Sequence, residues 1–75
     1  MKTYTVQFKS INDVKEFVRI VNMYDFDIDL ASSRYVVDAK SIMGIFSLDL
    51  GKPIRVEVHS DDAPTLEEEL RPFLA

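Results

Sequence analysis

The stretch DAKSIMGIFSL, residues 38–48, decides how this chain folds, because it has the pattern of a short helix placed between two strand-like segments. Ile42, Ile45 and Leu48 recur at helical spacing, and the pattern is halted near Gly51. Alternation of apolar and polar residues follows this stretch and also precedes it. The sequence therefore predicts a strand, a short helix and a further strand here.

Strands are predicted wherever apolar and polar residues alternate along the chain. This occurs at residues 3–8, 26–30, 35–39 and 54–58, and residues 31–34 read as the turn between the second and third strands. Each strand is apolar on one side only, which is typical of an antiparallel sheet with one covered face.

Two further helices are predicted from apolar residues at helical spacing. The first begins near Ile11, with Ser10 and Asp13 as an acidic capping box, and has an apolar stripe. The last follows the turn at residues 61–65, and Pro72 should limit its regular hydrogen bonding. Their stripes are Val14, Phe17, Val18 and Val21, and Leu66, Leu70, Phe73 and Leu74.

The element order βαββαβα predicts an α+β fold, a four-stranded antiparallel sheet with three helices on one face. With 75 residues, the chain has the length of one domain with one core, which we assign to residues 1–75. The chain has no cysteine, and no apolar run approaches the roughly 20 residues of a membrane helix. A net charge of -4 disfavours nucleic acid as a partner. We expect a cytoplasmic protein without a cofactor.

The motif in the central helix resembles that of HPr, the histidine-containing phosphocarrier of the bacterial sugar phosphotransferase system. The resemblance rests on KSIMG at residues 40–44 with Ser47 and Leu48, and it extends to residues 2–6, 24–30 and 54–58. It implies the open-faced β-sandwich of that family. It also implies protein partners: phosphotransferase-system enzymes, a serine kinase or a regulator.

The sequence departs from the HPr pattern where that family carries its phosphorylated histidine. The family has a histidine, a small residue, arginine and proline before its first helix, whereas this chain reads Ser10, Ile11, Asn12 and Asp13. Ser10 and Asn12 thus stand near the position of the absent histidine. Asp13 would repel a phosphoryl group, and a serine phosphate ester transfers less readily than a phosphohistidine. We interpret Ser10 as a helix cap.

Ser41 matches the serine that a dedicated kinase phosphorylates in HPr of Gram-positive bacteria. Phosphate at a helix N-terminus would be tolerated and would add about two negative charges. The alternative is that Ser41 only caps the helix, by accepting a hydrogen bond from the N–H of Met43 or Gly44.

An exposed apolar patch on the central helix is the candidate docking site. If Ile45 and Leu48 face the sheet, then Ile42, Met43 and Phe46 lie partly toward solvent. The HPr resemblance also implies docking through this helix. Alternatively, Phe46 or Met43 packs back into the small core.

The single histidine, His59, shares strand parity with Arg55 and Glu57, which predicts a solvated side chain without a positioned partner. A cation could bind the aspartates at positions 25, 27 and 29 together with Asp61 or Asp62, but the calcium-loop spacing is absent. We therefore predict no metal site, and a solvated acidic face balanced by Arg55.

These patterns leave three functions open, none of them an independent enzyme. The first is an HPr-like regulatory or interaction module without the catalytic histidine. This module would be monomeric and could be regulated by phosphorylation of Ser41. The second is a phosphocarrier with a noncanonical acceptor, His59 or Ser10. The third is a small structural or dimerising domain.

Overall fold

The computed structural model describes residues 1–61 and 63–75 and has the predicted order of elements. The strands are β1 (Lys2–Val6), β2 (Ile28–Ala31), β3 (Val36–Asp38) and β4 (Ile54–Val58). The helices are α1 (Ile11–Val21), α2 (Ile42–Ile45) and α3 (Pro64–Leu70), and a 3-10 turn follows at Arg71–Phe73. The predicted α+β order is confirmed.

The four strands form one antiparallel sheet in the order β1-β4-β2-β3. β4 lies in the middle of it, with Val6 of β1 opposite Ile54 and Lys2 opposite Val58. β4 pairs with β2 on its other side, where Val58 faces Ile28. The sheet thus joins segments that are far apart in the sequence, and β1 and β3 form its two edges.

One side of the sheet is covered by the helices, and the core lies between them. The inward side chains of the strands and helices form one buried cluster, whereas Thr3, Thr5 and Arg55 on the opposite side are exposed. Burial of this apolar layer is the main force that holds helices and sheet together. Its largest fully buried side chains include Phe17, Ile28, Leu30, Ile45, Ile54, Leu66 and Leu70.

Three strands are shorter than predicted: β3 covers only Val36–Asp38, and the residues next to β1 and β2 make contacts of their own. β1 ends at Val6, since the Gln7 N–H donates to the carbonyl oxygen of Phe73 at 2.7 Å instead of continuing the pairing with β4. Phe8 is nevertheless buried. β2 starts only at Ile28, and the ring of Phe26 packs against Tyr24 with centroids 5.4 Å apart.

The stripe of α1 differs from the prediction at one position. Val14, Phe17 and Val21 are fully buried, but Ile20 is buried with them while Val18 is only half-buried. The helix begins at Ile11, as predicted.

The chain end departs from a simple terminal helix. Regular α-helix stops at Leu70 and a 3-10 turn containing Pro72 follows, which agrees with the effect expected of proline. Phe73 remains buried. Leu74 is 40% exposed and forms an isolated bridge with Val6, so its assignment to the buried stripe is wrong.

Tyr24 joins the end of α1 to α3, because its hydroxyl donates a hydrogen bond to Glu69. Desolvation raises the pKa of Tyr24 from 10.0 to about 12, and the hydrogen bond and negative charge of Glu69 act in the same direction. The native state therefore holds the phenolic proton more tightly than the unfolded chain does. This contribution to stability is complete below pH 10 and is lost as the pH rises toward 12.

An ultraviolet titration of tyrosinate should show one of the three tyrosines ionising near pH 12. Tyr24→Phe should remove that late transition, and Glu69→Gln should move it to lower pH because the carboxylate charge is gone. The idea is contradicted if Tyr24→Phe leaves the late transition in place. Tyr35→Phe is the matched control, since this side chain is 59% exposed.

Candidate functional site

The N-terminus of α1, where the resemblance places the phosphoryl-transfer site, is capped by its own side chains. Ser10 has extended backbone angles (φ -157, ψ 167), and its Oγ accepts a hydrogen bond from the Asp13 N–H at 3.2 Å. The Asp13 carboxylate in turn accepts from the Lys9 N–H at 2.9 Å. The predicted capping box is therefore present, but its return bond goes to Lys9 rather than to Ser10.

This capping places a negative charge where an anion would bind. The N–H groups and the positive dipole end of a helix favour anions, and here the first turn already carries the carboxylate of Asp13, which accepts from the Lys9 N–H. Ser10 and Asn12 are exposed beside it, and so is Ile11, with 62% of its surface accessible. The end of α1 is thus accessible, but it is electrostatically unfavourable for a phosphoryl group.

Ser41 is the N-cap of α2, as predicted. Its Oγ accepts a hydrogen bond from the Gly44 N–H at 3.3 Å, and the residue is exposed. Lys40, the residue before Ser41, is linked to the end of α1. The Asn22 side chain donates hydrogen bonds to the carbonyl oxygens of Lys40 (3.3 Å) and Val18 (2.8 Å). Ser41 therefore combines an accessible hydroxyl with a fixed backbone.

The apolar residues of α2 divide between the core and solvent. Ile45 is fully buried and Leu48 is 7% exposed, whereas Met43 is 77% and Phe46 41% exposed. Ile42 is half-buried against the core. We call Ile42, Met43 and Phe46 the α2 face. The alternative in which Phe46 or Met43 packs back into the core is wrong.

Gly44 allows α2 to lie close to the sheet. A Cβ atom at this position would lie 3.4 Å from the Cβ of Val37 on β3, so α2 packs closely against this strand.

His59 has a positioned partner, and the expectation that it has none is wrong. Its Nε2 lies 2.9 Å from Oδ2 of Asp29, on the side of the sheet away from the helices. Its backbone N–H donates to the carbonyl oxygen of Asp27 at 3.0 Å, which continues the pairing of β4 with β2 by one residue. This extra backbone bond fixes the imidazole beside Asp29.

The predicted acidic face is divided by the start of β2. Asp25 and Asp27 precede the strand and are exposed, and only Asp29 belongs to it. Arg55 does not balance these aspartates as predicted, because its Nε donates to Glu57 of the same strand at 3.0 Å. Asp62 lies outside the described residues.

His59 and the N-terminus of α1 lie at opposite ends of the sheet. Ser10 follows Val6, which pairs with Ile54 at the start of β4, whereas His59 follows Val58 at the end of that strand. His59 lies five positions after Ile54 along extended chain, a length of roughly 17 Å. The imidazole is therefore remote from the helix end that corresponds to the phosphoryl site.

The pairing of His59 with Asp29 was missed because it depends on strand order. The two residues are 30 positions apart, and the alternation pattern shows only that each lies on the polar side of its own strand. The signal needed was the adjacency of β2 and β4, which strand periodicity does not contain.

The described residues contain no helix both long and apolar enough to cross a membrane.

The chain matches the family model "PTS HPr component phosphorylation site" over residues 4–75. A search of curated proteins found no match.

Solved structures of phosphocarriers are similar to this chain over most of its length. HPr-C-His from Thermoanaerobacter tengcongensis is 27% identical, with a TM-score of 0.77, over 93% of this chain and 86% of that one. The phosphocarrier protein HPr from Bacillus anthracis strain Ames is 29% identical, with a TM-score of 0.73, over 99% and 94%. These likenesses extend over the sheet and all three helices.

Proposed function

Because this chain belongs to the HPr family of the phosphotransferase system, we propose that it is a regulatory or protein-interaction module that has lost the phosphohistidine relay. The observation that carries the proposal is the N-terminus of α1. Ser10 caps the helix there and Asp13 places a carboxylate beside the cap, while the single histidine of the chain, His59, lies at the far end of β4.

The chemistry of the relay supports this proposal. HPr-family proteins are phosphocarriers rather than catalysts, so the acceptor must take a phosphoryl group and release it again to the next protein. A serine ester at Ser10 would release it poorly, and the Asp13 carboxylate would repel the incoming and the transferred group. No independent enzymatic activity is proposed.

Phosphoenolpyruvate and the first enzyme of the phosphotransferase system test the proposal directly. We expect intact-mass measurement to show no phosphate on this chain under conditions in which an ordinary HPr is fully labelled. The reason is that the N-terminus of α1 has no histidine to accept the phosphoryl group and carries a carboxylate instead of positive charge. Phosphate at Ser10 or His59 would contradict the proposal and establish a noncanonical carrier. The ordinary HPr is the control for an active first enzyme.

The noncanonical carrier remains the second candidate because of the contact between His59 and Asp29. A carboxylate at 2.9 Å orients the imidazole, as a phosphoacceptor histidine would need. Three exposed or half-exposed acidic neighbours would, however, oppose a phosphoryl group there: Asp27, Asp29 and Glu57. The same experiment separates the two candidates, with His59→Gln as the variant that must abolish any label at this residue.

Regulation at Ser41 is the second part of the proposal. The exposed hydroxyl caps α2 and lies next to the α2 face, so phosphate would change the charge of this surface without breaking the fold. With ATP and the serine kinase of the family, we expect one phosphate, absent from Ser41→Ala. If Ser41 only caps the helix, an active kinase would transfer no phosphate to this chain.

We further propose that residues 1–75 act as one cytoplasmic module, monomeric and docking through Ile42, Met43 and Phe46. HPr-family proteins interact with phosphotransferase-system enzymes, which makes such enzymes, a serine kinase or a regulator the candidate partners. The exposure of Met43 and Phe46 supports this docking site. If the third function applied, a dimer would form through the same face.

A further inference from the structure

Three groups able to bind a metal ion meet on the sheet side away from the helices: the imidazole of His59 and the carboxylates of Asp29 and Glu57. One ligand atom from each lies within 4.8 Å of the others. Asp29 and Glu57 are directly opposite each other on β2 and β4, and His59 follows two residues after Glu57 on the same side. Two neighbouring strands thus assemble this cluster.

The cluster is partly shielded from solvent. The side chains of Glu57, Asp29 and His59 retain 20%, 32% and 42% of their accessible surface. The backbone bond between His59 and Asp27 and the register of the strands hold all three on rigid structure. Little conformational freedom would therefore be lost when these side chains close on a common ion.

The cluster lies in a row of carboxylates across β3, β2 and β4, and the described positively charged groups do not fully balance their negative charge. Asp29 faces Glu57 on one side and Asp38 on the other, and like charges in directly opposed positions destabilise a sheet. Arg55 binds Oε2 of Glu57, one of its two carboxylate oxygens.

The ligand chemistry favours a metal that accepts both nitrogen and oxygen. Zinc binds imidazole nitrogen and carboxylate oxygen at about 2.0–2.2 Å, which places tetrahedral ligand atoms about 3.4 Å apart. The 2.9 Å contact between His59 and Asp29 is near this separation, and a carboxylate oxygen of Glu57 lies within 4.8 Å of the ligand atoms of both. Calcium and magnesium fit less well, because they prefer six or more oxygen ligands.

The geometry points to a binding site for a zinc-like divalent cation, held by Nε2 of His59 and by one carboxylate oxygen each from Asp29 and Glu57. Water or a group of a partner protein fills the fourth position. This site is separate from the α1 N-terminus and from the α2 face. The proposal differs from the sequence-based prediction of no metal site, because the sequence pattern did not bring His59 to Asp29.

Calorimetric titration of the untagged, chelator-treated protein with zinc chloride at pH 7.5 tests the site. We expect saturable binding of one ion per chain, and a melting temperature that rises with zinc concentration because the ion binds the folded state. Magnesium at the same concentrations should change neither. Absence of saturable zinc binding up to millimolar concentration overturns the inference.

Matched variants show whether the ion uses these ligands. His59→Gln and Asp29→Asn should each weaken zinc binding at least about tenfold, while Asp25→Asn, which removes the same charge from an exposed residue outside the cluster, should leave the affinity within about twofold. Equal affinity in all three variants would overturn the site. A thermal unfolding curve of each variant in excess chelator shows whether it is folded without zinc. A loss of zinc binding can then be distinguished from a loss of structure.

Discussion

Replacing Phe17 by alanine is expected to lower the free energy of unfolding by about 3–5 kcal/mol. Phe17 is fully buried, and its ring makes edge-on contacts with Phe8 and Phe73, at centroid distances of 5.2 and 6.2 Å. It therefore joins α1 to the loop after β1 and to the chain end. Truncation removes apolar burial and leaves a cavity where these three rings meet.

This loss is large for a chain of 75 residues, whose total stability is expected to be about 4–11 kcal/mol. Urea unfolding followed by far-ultraviolet circular dichroism measures it. Phe46→Ala makes the same chemical change at a side chain that is 41% exposed, and it should lower stability by about 1 kcal/mol or less. Equal losses in the two variants would contradict the described core.

If the α2 face docks onto the first enzyme of the phosphotransferase system as proposed, the double substitution Met43→Ser and Phe46→Ser is expected to weaken this binding by about 100-fold or more. Two exposed apolar anchors in the centre of an interface each contribute on the order of 1–2 kcal/mol or more to binding, and about 1.4 kcal/mol changes the dissociation constant tenfold. Both side chains belong to the α2 face and contribute little to the core.

Isothermal titration calorimetry with the purified enzyme measures the effect, and Val36→Ser is the control. Val36 is 63% exposed on β3 and shares its side of the sheet with Asp38, away from the helices. Equal binding by the double variant and the unaltered protein would exclude α2 as the docking site. Gel filtration of both forms tests the dimer alternative, in which only the double variant would become monomeric.

Much of the fold could be predicted from periodicity because each element carries its own local signal. The start of α1 follows from Ser10 and Asp13, whose side chains satisfy backbone N–H groups within four residues. The cap of α2 by Ser41 follows from the same local chemistry. Strand ends were less predictable, since β1 stops where Gln7 turns its N–H toward Phe73, a residue 66 positions away.

The candidate sites also differ in how far local sequence patterns could predict them. Helical spacing left two alternatives for Met43 and Phe46, exposure on α2 or packing back into the core, and the structure shows both side chains exposed. The position of Asp29 beside His59 could not be obtained from spacing. Neither residue carries a signal in its own neighbourhood that identifies the other.

The sequence by itself determined the order of elements, the capped starts of α1 and α2, the apolar side of the strands and the residue types at the first helix, where an aspartate stands and a histidine does not. Those properties depend on neighbours a few positions apart. Only the tertiary structure decided the strand order, the distance of His59 from α1 and the meeting of His59, Asp29 and Glu57. The physical reason is that backbone hydrogen bonding pairs strands without regard to sequence separation, while burial of the whole apolar layer selects which pairing persists.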